Sequence, residues 1–151
     1  MIKKIIVAII LVIIIIPQLI PVDRPENNDD KTNDLIANNK IPDTIASLLK
    51  SSCYDCHSNQ TIYPWYANIA PISWLVVRDV KLGREELNFS DWETLSKMYK
   101  AKQLNNLSEE VEEGKMPMPI YLITHGDAKL SEQKKAALVN WSETFAEELF
   151  D

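Results

Sequence analysis

Cys53 and Cys56 are the only cysteines of the chain, and one of its two histidines, His57, follows directly. On a helix, positions i, i+3 and i+4 share one face. The fold must therefore present two thiols and an imidazole from a single turn. A disulfide across one turn would close almost no loop and stabilise little, so the pair needs a chemical role.

C-x-x-C-H is the spacing of covalent haem attachment. Two thiols on one helical face can bond the two vinyl groups along one edge of a porphyrin, and the adjacent imidazole then lies under the iron as an axial ligand. The expectation is one covalent haem c held by Cys53, Cys56 and His57. A thioredoxin-like dithiol shares the C-x-x-C pair but sits in a βαβ context that this sequence lacks. A zinc site needs four ligands; the segment supplies three at most, and His125 is the only other histidine.

For the sixth iron ligand, Met116 is the first choice. It follows Gly114-Lys115 and precedes Pro117, a stiff loop position from which a thioether can reach iron. Met118 in the same loop is second and His125, beside Gly126, third. Met98 falls on a helix rich in core residues and is read as packing. A backbone carbonyl of Pro64 or Pro71 is expected to hold the distal nitrogen of His57.

The N-terminus carries Lys3 and Lys4 ahead of an apolar run from Ile5 to Ile16, extended by Leu19 and Ile20. That run spans about 24 Å as a helix. It lacks the small residues of a signal-peptidase site. Residues 1–20 are therefore read as an uncleaved signal anchor with the lysines on the cytoplasmic side. This puts the protein in the inner membrane as a single-pass chain, with its domain in the periplasm, where haem of the covalent kind is attached. Residues 21–40 are polar and Asn-rich, which reads as a flexible linker. Residues 41–151 form the haem-binding domain.

Only three glycines occur in 151 residues, which disfavours a turn-rich β fold. Helix-start signals stand at Pro42-Asp43, at Pro71, at Ser131 and, as a Ser90/Glu93 capping box, before Trp92. Gly83 and Gly114 read as helix stops, and a break is expected near Asn105–Asn106. The fold class is all-α: a small cytochrome c-like helical domain around one haem, preceded by a transmembrane helix. Beyond residue 20 the chain has 14 basic against 22 acidic side chains. That charge excludes nucleic acid as a partner and suits a basic redox protein.

The segment Cys53-Tyr54-Asp55-Cys56-His57-Ser58-Asn59, with Tyr63-Pro64-Trp65-Tyr66, Ala70-Pro71 and Ser73-Trp74, resembles the small bacterial haem-binding domain family of Bacteroidetes-type exported proteins. Gly83-Arg84, Asn88-Phe89-Ser90-Asp91-Trp92, Gly114-Lys115-Met116-Pro117 and Ala128-Lys129-Leu130-Ser131 are similar to its later blocks. Thr124-His125-Gly126 departs from an expected His-Pro pair. The resemblance implies a periplasmic single-haem cytochrome fold.

Two other functions compete with electron transfer. An open sixth position would make the protein a gas sensor or a peroxidase-like enzyme. A dithiol oxidoreductase would use the same cysteines without haem.

Overall fold

The computed structural model describes residues 2–151. Among the described residues there are eight α-helices, four 3-10 turns and no strand, which agrees with the all-α expectation. Helix α1 (Ile2–Ile15) runs on through a 3-10 turn, Ile16–Leu19. Those 18 residues have a mean hydropathy of 2.5 and none is buried. By length and composition they could cross a membrane. The remaining helices are α2 (Leu35–Asn38), α3 (Asp43–Ser52), α4 (Tyr54–His57), α5 (Ile72–Glu86), α6 (Lys97–Glu112), α7 (Pro119–Leu122) and α8 (Glu132–Glu148).

The core forms where α6 packs along α8. Leu104, Leu107 and Val111 recur at helical spacing on α6, and Leu138, Val139 and Ala146 on α8. All are buried. Ser142 of α8, fully buried, donates its hydroxyl to the carbonyl of Leu104 at 2.7 Å, and the buried Ser108 of α6 donates to the same carbonyl at 3.3 Å, so both hydroxyls have a partner. Ile45 and Leu49 of α3 join the same core. Trp92 is fully buried, stacked on Phe145 at 6.3 Å. Phe89 stacks on Tyr54 at 5.2 Å, which ties α4 to the core.

Several helix boundaries follow local chemistry. Ser131 accepts from the Lys134 N–H at 3.3 Å and caps α8. Gly114, at φ +69°, follows α6 in the left-handed region that glycine tolerates best.

Other boundaries differ from expectation. Ser90 and Glu93 lie in a 3-10 turn, and the cap of α6 is Ser96, which accepts from the Tyr99 N–H. Glu93 instead pairs with Lys100 at 2.6 Å. Helix α6 runs unbroken past Asn105 and Asn106. Met98, expected to pack, is exposed. Gly83 does not stop α5, which continues to Glu86.

The stretch 21–40, polar by composition, is fastened to the domain. Leu35 is fully buried, and Asp34 both caps α2 and accepts from the Tyr54 hydroxyl at 3.2 Å. Asn27 exchanges two hydrogen bonds with the backbone of Thr61. Arg84 of α5 donates to the carbonyl of Glu26, to Asn27 and to Thr61. Asparagine side chains satisfy backbone groups here, so a polar segment can be ordered with Leu35 and Ile36 as its apolar anchors.

Candidate functional site

Helix α3 ends at Cys53, whose φ of −129° and ψ of −41° interrupt the helix. A new turn, α4, closes on the Cys53 carbonyl, which accepts from Cys56 N at 3.1 Å and His57 N at 2.9 Å. The two thiols and the imidazole therefore belong to one turn, as their spacing predicts, although the helical face from Ile45 to Cys56 is not continuous.

The turn rests on α5. A β-carbon on Gly83 would stand 2.6 Å from the Cys56 carbonyl oxygen, so only glycine allows this approach. Four residues on, the Leu87 carbonyl lies 3.0 Å from His57 Nδ1. The carbonyl that holds the imidazole is thus Leu87's and not that of Pro64 or Pro71, both of which accept from local N–H groups. A carbonyl can only accept, so it fixes the proton on Nδ1 and leaves the Nε2 lone pair for a metal. Burial holds the His57 pKa below its ordinary value, which keeps the ring in its neutral, ligating form.

The thiols are free and half-buried. Burial, and then the charge of the partner thiol, pushes Cys53 up to about 12. Burial, then Asp55 and Asp79, pushes Cys56 up to about 11. Catalytic dithiols need a lowered pKa to supply thiolate, so this environment is the reverse of what a thioredoxin-like reaction requires.

Beside the turn lies a cavity of about 400 Å³, within the usual range for small-molecule sites. It is bounded by Cys56 and Asp55, by Ile72, Val76 and Val80 of α5, by Trp65 and Tyr66, and by Met118, Tyr121 and His125 of the loop around α7. Of the two thiols and the imidazole, only Cys56 borders this cavity. Cys53 packs against the core cluster, and His57 lies 6.2 Å from Phe89.

The candidate sixth ligands are separated by the fold. Met116 is half-buried against the core and does not line the cavity. Met118 and His125 do line it. His125 stacks on Tyr121 at 4.0 Å, and its Nδ1 lies 3.1 Å from the Tyr121 carbonyl, which leaves Nε2 free.

Sequence reasoning missed Gly83, Leu87 and the Asp55–Tyr121 hydrogen bond of 2.7 Å. Only Gly83 left a signal: a glycine inside a helix costs about 1 kcal/mol relative to alanine and points to a packing reason.

The donor set fits a haem. Two thiols and a neutral imidazole with a fixed tautomer share one turn, next to an apolar, aromatic-lined cavity. A haem-binding domain family model matches residues 12–144. No curated protein and no solved structure matches the chain. The matched span takes in the Cys53–His57 turn, all of α5 and the cavity, so the chain belongs to the haem-binding domain family and is a haem-binding protein.

Proposed function

We propose that the protein is a membrane-anchored c-type cytochrome that carries one covalent haem on Cys53, Cys56 and His57 and transfers electrons outside the cytoplasmic membrane. The observation that carries this reading is the Cys53–His57 turn with His57 Nδ1 against the Leu87 carbonyl at 3.0 Å. The haem, when bound, supplies an iron that cycles between two oxidation states.

The chain's own residues do the rest. Cys53 and Cys56 supply the thioethers. His57 offers Nε2 to the metal while Leu87 orients the ring. Trp65, Tyr66, Ile72 and Val80 line the cavity, and the apolar surface they would lay against the haem lowers the local polarity and so tunes the potential. Met118 is the first candidate for the sixth ligand because it borders the same cavity as Cys56. Met116 and His125 are the alternatives. The helix Ile2–Leu19 is the anchor, and its two lysines put the N-terminus on the cytoplasmic side.

A second reading, an open sixth position for a small gas or peroxide, draws on the placement of Met116 away from the cavity and on the polar Asp55–Tyr121 pair within it. The absorption spectrum of the oxidised protein separates the two. A far-red band reports methionine on iron and supports the carrier. A high-spin spectrum that changes on adding cyanide or carbon monoxide supports the open site.

A further inference from the structure

We infer that the domain rests on the bilayer surface through the segment 65–72, with Trp65, Ile69 and Ile72 seated at the lipid interface beside the end of α1. This rests on the reading of Ile2–Leu19 as a membrane span. Eighteen residues at about 1.5 Å each come to roughly 27 Å, close to the hydrocarbon thickness of a bilayer, so the span ends near Gln18.

That end is fastened to the segment. The Gln18 side-chain amide donates to the Ala70 carbonyl at 2.9 Å and accepts from the Ala70 N–H at 3.0 Å. Ala70 therefore stands at the depth of Gln18, and its neighbours share that level. Ile69 is 43% exposed, Ile72 46% and Trp65 75%. A soluble domain rarely leaves so many large apolar groups bare in one short stretch. Ile69 does not line the cavity, so the cavity's contents do not account for it. Arg24 stands at the same place: its guanidinium donates to the Ala67 carbonyl and to Asn68 at 2.8 Å, and lies 5.3 Å from the Tyr63 ring centre. A cation above an apolar, tryptophan-bearing edge is the pattern of membrane interfaces. Trp65 and Ile72 also line the cavity, so its rim lies at the lipid surface and its redox partner is one embedded in, or lying on, the same membrane.

The test is photolabelling of the full-length, haem-loaded chain. It is placed in nanodiscs of phosphatidylcholine and phosphatidylglycerol doped with a phosphatidylcholine that carries a diazirine near the glycerol backbone, and adducts are mapped by mass spectrometry. Adducts are expected both on residues 2–20 and within 65–72. Ile69→Glu should lower the second set severalfold and leave the first unchanged. Adducts on residues 2–20 with none in 65–72 would overturn the docking and leave the span standing. Adducts in 65–72 with none on 2–20 would support the docking and overturn the span. No adducts in either place would overturn both.

Discussion

The backbone of Gly83 lies directly against that of Cys56: a β-carbon on the one would sit 2.6 Å from the carbonyl oxygen of the other. Helix α5 thus sets the height of the Cys53–His57 turn, and the same helix delivers, one turn later, the Leu87 carbonyl that holds His57.

Gly83→Ala should therefore act on the site and not only on stability. The contact is with backbone, which cannot swing aside, so the turn must shift. The expected cost is about 1–3 kcal/mol from overpacking, read as a lower midpoint in thermal unfolding. Haem content after expression with covalent-attachment machinery should fall as well. Unchanged stability and haem content would show that the turn does not rest on α5 in this way.

The sixth ligand can be assigned by single substitutions. Met118→Ala should abolish the far-red band of the oxidised protein, while Met116→Ala should retain it. Loss of the band in Met116→Ala alone would move the ligand to the loop methionine that the sequence favours. His125→Ala should leave the band intact.

Glu93 gives a prediction in pH. Burial pushes its pKa up, but hydrogen bonds from Lys100 and Asn39 outweigh this, and the net result lies below the ordinary 4.5. A carboxylate with a depressed folded pKa adds stability that is present above its unfolded value and is lost as pH falls through the folded one. The pair is partly solvated, so it contributes about 1 kcal/mol or less. Lys100→Met should lower stability by that amount at neutral pH, and the difference from wild type should shrink below pH 4.5. A difference that stays constant across that range in urea unfolding would assign the loss to the cation–π contact of Lys100 Nζ with the Trp92 ring, 5.5 Å from its centre.

Trp92 tests the core. It is fully buried and stacked on Phe145. Trp92→Ala should cost about 3–5 kcal/mol, measured by denaturant unfolding of the haem-loaded protein. A cost under about 1 kcal/mol would mean the site collapses or is already loose.

Much of this is legible in the sequence. Ser131, Gly114 and Pro71 mark helix boundaries because caps, left-handed turns and the fixed φ of proline are local chemistry. The spacing of Cys53, Cys56 and His57 put all three on one turn for the same reason. What stayed hidden depends on contacts distant in sequence. Gly83 reads as a helix stop unless the turn 27 residues earlier is known to press on it. The partner of His57 is a backbone carbonyl, which has no residue signature at all. Ser90 and Glu93 match a capping box, yet Glu93 is drawn off by Lys100 and Asn39. The Asn-rich stretch 21–40 looks free because its ties, from Asn27 to Thr61 and from Arg84 to Glu26, are made across the fold. Met116 and Met118 are equivalent by composition, and only the path of the loop separates them.

Covalent haem on the Cys53–His57 turn is the claim on which the rest stands. The most direct measurement is the intact mass of the exported protein, made with covalent haem-attachment machinery and taken together with its pyridine haemochrome spectrum. The expected product is a red protein whose mass exceeds that of the polypeptide by one haem, with neither thiol open to alkylation. Cys53→Ala should remove one thioether, and Cys56→Ala the other. A colourless protein of unmodified mass, with both sulfurs alkylated, would contradict the claim.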